Sequence, residues 1–154
     1  MSMKDNDYIC PSCKGHLNVG NYLVFATNTQ RKHKGLLMMS PVIGDYEYFH
    51  HNKFVLNDGE KVDFECPICQ IDLTSSQNAD FAMIHMVGVE DGSEYELYFS
   101  KIAGNKSTYI VANDAVESFG VDALDFDSII AAHGLHLKSG TKKALTTEVV
   151  SLFR

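Results

Sequence analysis

The sequence predicts an α+β protein that is mostly β, and three observations point there. The four cysteines occur only as two C-P-x-C turns, β-branched and aromatic runs recur between Gly, Asn, Asp and Pro punctuation, and helical periodicity is confined to the C-terminal end. The 154 residues suffice for one domain, or for a small metal-stapled lobe joined to a compact second one, and 45% hydrophobic residues are enough to bury a core.

Taken in order, Tyr8-Ile9 leads into the first turn, Cys10-Pro11-Ser12-Cys13, and residues 22–27 follow as a strand on their β-branched and aromatic content. A polar, basic loop over 28–34 separates it from a returning apolar run over 35–39. Ser40-Pro41 breaks the chain, and apolar and acidic residues alternate over 45–49, giving a meander of short strands. Asn57-Asp58-Gly59 is a turn signal, after which residues 61–65 alternate polar with apolar directly into the second turn, Cys66-Pro67-Ile68-Cys69.

Residues 74–80 are polar and turn-rich, the expected junction to a second lobe. Strands are expected over 81–89, 95–102 and 108–111, with tight turns at Asp91-Gly92 and Gly104-Asn105. Such a meander needs a cover for its apolar face. Leu124, Ile129 and Ile130 fall on a helical stripe, with Asp125 or Asp127 as N-cap and Gly134 as stop, so one short helix is expected to supply it. Leu145, Val149 and Leu152 make a second, narrow helical face flanked by Lys142 and Lys143. The expected organisation is a cysteine-bearing lobe with a β insertion over 1–76, a β-meander with a short helix over 77–140, and a C-terminal tail or docking helix over 141–154. Only the paired cysteine turns repeat.

The cysteine usage suits a metal site or a redox motif in a reducing compartment and not a secreted disulfide framework. No apolar run is long enough to cross a membrane as a helix, and the beginning of the sequence does not read as a targeting signal, so a cytoplasmic location is expected. The formal net charge of −7 is unevenly spread: no acid lies between Tyr8 and Gly44, whereas from Asp45 to Glu96 twelve carboxylates face only Lys53 and Lys61. Such a field disfavours a phosphate backbone as a general partner.

A C-x-x-C turn brings two sulfurs to one side, where successive backbone N–H groups donate to the thiolates, and two such turns facing each other place four sulfurs at tetrahedral corners. In this the sequence resembles the zinc-ribbon and rubredoxin-like group, in which two cysteine-bearing turns at the ends of β-hairpins clamp one metal. The resemblance implies Cys10, Cys13, Cys66 and Cys69 as ligands of one structural Zn²⁺. Iron in the same cage, giving an electron carrier, is the alternative, because tetrahedral S₄ geometry suits both metals. The chain departs from the group in carrying Lys14 and Gln70 where glycine often follows the second cysteine, and in the length of residues 14–65 between the pairs, which must form their own sheet. C-P-x-C also resembles the glutaredoxin-like active-site turn, but the helix that activates the thiolate there has no counterpart after either turn.

Four thiolates and one Zn²⁺ sum to −2, which makes Lys14 the candidate for offsetting charge beside the sulfurs. His16 is expected next to the site but outside the ligand set. His50 and His51, adjacent in a strand, point to opposite faces, and His85 reads as a sheet-face histidine. His133 and His136 read as histidines near a helix C-terminus. Arg31, Lys32 and Lys34, at the tip between two apolar strands, are the candidate partner contacts. No nucleophile, phosphate-loop or dinucleotide motif appears. The expected function is that of a zinc-binding cytoplasmic adaptor or regulator acting through protein–protein interaction. A nucleic-acid or ribosome-associated ribbon, and an iron carrier or thiol redox sensor, are the alternatives.

Overall fold

A computed structural model describes residues 6–88, 92–112 and 115–124. Within them run ten strands: β1 (Asp7–Ile9), β2 (Asn18–Val19), β3 (Tyr22–Thr29), β4 (Lys34–Met39), β5 (Tyr48–His50), β6 (Val62–Glu65), β7 (Phe81–Val87), β8 (Glu94–Ser100), β9 (Thr108–Ala112) and β10 (Ala115–Phe119). One antiparallel sheet has the order β1-β7-β8-β9-β10; the other runs β2-β3-β4-β5, with β6 also paired to β3. The protein is thus mostly β. No helix occurs among the described residues, and the two helical stretches expected after Leu124 lie outside them.

The strands form where the period-2 pattern is cleanest. Leu23, Phe25, Thr27 and Thr29 of β3 are buried while the residues between them are half-buried. The residues between the cysteine pairs do build their own sheet, β2 to β5. The strand expected over 45–49 shrinks to β5, because the Asp45 carboxylate accepts from the Glu47 amide at 3.1 Å and the Asp45 amide donates to the Val42 carbonyl, closing a local turn instead. β10 was not anticipated: its register on β9, Phe119 opposite Thr108 through Ala115 opposite Ala112, comes from a neighbour and not from its own modest β content.

The repeat, confined in the sequence to the cysteine turns, extends through most of the fold. Tyr8, Cys10, Cys13, Lys14 and Leu17 correspond to Phe64, Cys66, Cys69, Gln70 and Leu73, and in both turns the backbone bonds match: Leu17 to Tyr8 as Leu73 to Phe64, and Lys14 to Cys10 as Gln70 to Cys66. The strands continue the correspondence. Tyr8 of β1 lies opposite Met86 of β7, and Phe64 of β6 lies opposite Thr27 of β3. Val24 opposite Met38 then matches Met83 opposite Tyr98, and Leu37 opposite His50 matches Leu97 opposite Ile110. Even the following turns agree, with Gly44 at φ 92° and Gly104 at φ 88°. The two halves are related by a pseudo-two-fold axis, and each lends its leading strand, β1 or β6, to the sheet of the other.

The sheets face each other across the larger of two hydrophobic clusters, in which Phe25 meets Phe64 and Phe99, with ring centroids 5.4 Å away in both cases; the smaller joins Phe81, Tyr98, Tyr109, Val111 and Val116. Tyr8, fully buried, donates its hydroxyl to the Pro41 carbonyl at 2.7 Å. Lys101, with a side chain only 3% exposed, places Nζ 2.7 Å from Asp63 Oδ1 and donates to Thr74 Oγ1 at 2.6 Å. Removing the acid strands a buried ammonium, whereas replacing the lysine by an apolar side chain of similar length removes the charge altogether. Asp63→Asn is therefore expected to cost about 2 kcal/mol in urea unfolding, and Lys101→Met less than that.

Candidate metal centre

Each cysteine turn is delivered by a strand and returned by an isolated bridge: Ile9 pairs with His16 and Glu65 with Asp72. The Cys10 amide donates to the Gly15 carbonyl, and the Cys66 amide to the Ile71 carbonyl, both at 3.0 Å. Inside the first turn the Ser12 and Cys13 amides donate to Cys10 Sγ at 3.3 and 3.5 Å. Inside the second, the Ile68 and Cys69 amides donate to Cys66 Sγ at the same distances. Gly15 adds an amide to Cys13 Sγ at 3.3 Å. Pro11 and Pro67 occupy the one position in each turn whose N–H is not among these donors, so proline stiffens the turn without loss.

The pseudo-two-fold axis brings the turns face to face. Cys10 Sγ lies 3.8 Å from Cys69 Sγ, Cys13 Sγ lies 3.8 Å from Cys66 Sγ, and all four sulfurs lie within 4.8 Å of one another. For sulfurs held at ~2.3 Å from a central ion, the edge of the tetrahedron is ~3.8 Å, which the two separations across the turns match, so the set suits a thiolate-bound Zn²⁺, and iron at similar bond lengths equally. All four thiols are free, two buried (Cys10, Cys66) and two exposed (Cys13, Cys69). The buried pair receives two amide donors per sulfur, and the exposed pair faces solvent at one end of the core.

Cys10, Cys13 and Cys66 influence one another's titration. Burial pushes Cys10 up to about 11, against the amides of Cys13 and Ser12. Burial acts on Cys66 in the same sense, but the Cys69 and Ile68 amides and the neighbouring thiols outweigh it and hold Cys66 at about 7. The Cys66 proton thus leaves readily, whereas the Cys10 proton must be displaced by the ion.

The structure places the other candidates as follows. Lys14 sits at the turn's closing position with φ 63°, as Gln70 does with φ 68°; both are exposed, and each backbone amide bonds the first cysteine carbonyl of its turn. These are left-handed positions where a side chain is strained and glycine is not. Lys14→Gly and Gln70→Gly are each expected to stabilise the metal-loaded protein by about 0.5–1 kcal/mol, read from the urea midpoint. His16 is exposed, with Nε2 3.8 Å from Asp7 Oδ2, and is not one of the four converging ligands. Arg31 is already committed: Nε and Nη2 reach the two Glu60 carboxylate oxygens at 2.8 and 3.0 Å, and Nη2 also donates to the Val55 carbonyl. Lys32 and Lys34 stand exposed on the β3–β4 hairpin, Lys32 at φ 65°. His133 and His136 lie outside the described residues.

The sequence reading missed the packing of Ile68 over the opposite turn. A Cβ on Gly15 would stand 2.5 Å from Ile68 Cδ1 and 3.2 Å from Cys13 Sγ, so Gly15 is what lets the two turns close on each other. Glycine two residues after a second cysteine was the available signal. Comparison with protein-family models, with curated proteins and with solved structures finds no match for this chain. Four cysteines able to hold one metal ion are accordingly the defining feature of the site, and no helix among the described residues is long and apolar enough to cross a membrane.

Proposed function

We propose that this chain is a cytoplasmic adaptor or regulatory protein that works by protein–protein contact, with one Zn²⁺ as a structural pin. The observation that supports the structural role is the origin of the ligands. Each half supplies one turn to a site on the pseudo-two-fold axis, so the ion ties together the two halves of the fold, and its buried sulfurs belong to the core. On binding, zinc supplies fixed tetrahedral geometry and cancels part of the thiolate charge, while the five amide donors spread the remainder.

The outer face of β2-β3-β4-β5 supports the adaptor reading. Val19 is 63% exposed, Leu36 60% and Phe49 41%, and the register sets Phe49 beside Met38 and Val24 on that face, with Tyr22 edge-on to Phe49. A contiguous apolar strip of this kind suits an apolar protein partner. Arg31, Lys32 and Lys34 suit a nucleic-acid partner less well, because the arginine is held by Glu60.

Elemental analysis of the purified protein is the test of the metal, with one zinc per chain expected; one iron with a visible thiolate charge-transfer spectrum would instead favour the electron carrier. For the contact surface, zinc-loaded Leu36→Asp is expected to lose cross-linked partner protein while keeping the wild-type unfolding midpoint. Capture unchanged by Leu36→Asp, but lost on deleting residues 141–154, would move the contact to the C-terminal segment.

A further inference from the structure

Between loops 40–46 and 100–108 a half-open cavity of about 150 Å³ lies against the core. Its walls come from matching positions in the two halves: Leu37 and Leu97, Met39 and Phe99, and the turns at Gly44 and Gly104. The segment carrying Pro41, which is buried, and Ile43, which packs against the core, forms a further wall.

We propose that this cavity is a binding site for a small, uncharged apolar molecule about the size of one aromatic ring. Size supports the class, since a cavity of ~150 Å³ is large enough to accommodate benzene or xenon. The chemistry of the wall supports it too. Phe25, Phe64 and Phe99 present ring faces and edges, and aliphatic side chains complete the floor. The buried polar side chains of the lining are already engaged: the Tyr8 hydroxyl donates to Pro41, the Lys101 ammonium is held by Asp63 and Thr74, Ser107 donates to Asn105, and Thr108 bonds the Tyr46 hydroxyl. A charged or strongly hydrogen-bonding ligand would be desolvated there without a partner. Asp45 and Lys106 stand among the lining residues near the covering turns, where a polar substituent on the ring could remain in water.

The test is a titration of the zinc-loaded full chain with benzene, following the unfolding midpoint and methyl ¹³C shifts. A saturable rise of about 4 °C at tenfold excess over Kd is expected, with shifts concentrated at Leu37, Met39, Ile43 and Leu97. Leu97→Phe, which fills the cavity, is expected to abolish both effects while retaining the metal, and Ile43→Phe on the covering segment replaces it should that variant fail to fold. Shifts scattered over exposed Val19 and Leu36 without saturation, or a filled variant that responds like the wild type, would overturn the proposal.

Discussion

Cys66→Ser is expected to leave the purified chain without metal and without a cooperative unfolding transition. Cys66 Sγ is fully buried, receives two amide donors, and stands 3.8 Å from Cys13 Sγ across the axis, so the hydroxyl that replaces it can neither reach nor soften enough to complete the cage. Metal-linked folding free energy at such sites is on the order of 10 kcal/mol, comparable to the whole stability of a domain this size. Metal analysis beside circular dichroism checks it; a variant that folds with its metal would show that three sulfurs suffice. Acid should imitate the mutation. Cys66, held down to about 7, keeps its charge to that pH, whereas Cys10, pushed up to about 11, gives up its proton only to the ion. As pH falls below about 7 both Cys66 and Cys10 of the metal-free form are protonated, the ion must displace a proton at each, and affinity drops by ~10² per pH unit or more. Metal is therefore retained at pH 8 and released on acidification, which a chromogenic chelator reads directly.

Phe25→Ala is expected to cost about 4 kcal/mol and to lower the midpoint of the metal-loaded protein by about 10 °C. Phe25 is fully buried and is the ring through which β3 of one half touches both Phe64 from β6 and Phe99 from β8. Its loss removes transfer free energy, two ring contacts and the wall of an existing cavity, so collapse cannot repair the site. Phe49→Ala, on the exposed face, is the matched control and should cost a few tenths of a kcal/mol. Equal losses in the two variants would mean that the exposed face is as well packed as the core.

β3, β4, β6, β7, β8 and β9 all fall where the sequence predicts them: β3 and β6, and most of β7, because one buried face writes a period of two into the residues, and β4, β8 and β9 because an apolar or aromatic run is bounded by turn residues. The three-residue β1 and two-residue β2 carry too few residues for a period, and β10 is recruited by β9. The metal ligands were legible because sulfur pairs at fixed spacing have few other uses. The fold-wide repeat was hidden. Met38 against Tyr98 and His50 against Ile110 share positions but not chemistry, so backbone pairing reveals what side chains have lost. The placement of Arg31 against Glu60 joins residues far apart in the chain, which local pattern cannot report.

The exchange of β1 and β6 between the two halves sets a timetable for a chain emerging from the ribosome. At about 5–20 residues per second, β1 waits on the order of 4–16 s for its partner β7, and Cys10 and Cys13 wait nearly as long for Cys66 and Cys69. During that interval the nascent chain exposes an unpaired strand edge and two unshielded thiols with no ion to hold them, and the opening half can neither finish its sheet nor close its cage until β6 and the second cysteine turn have been translated.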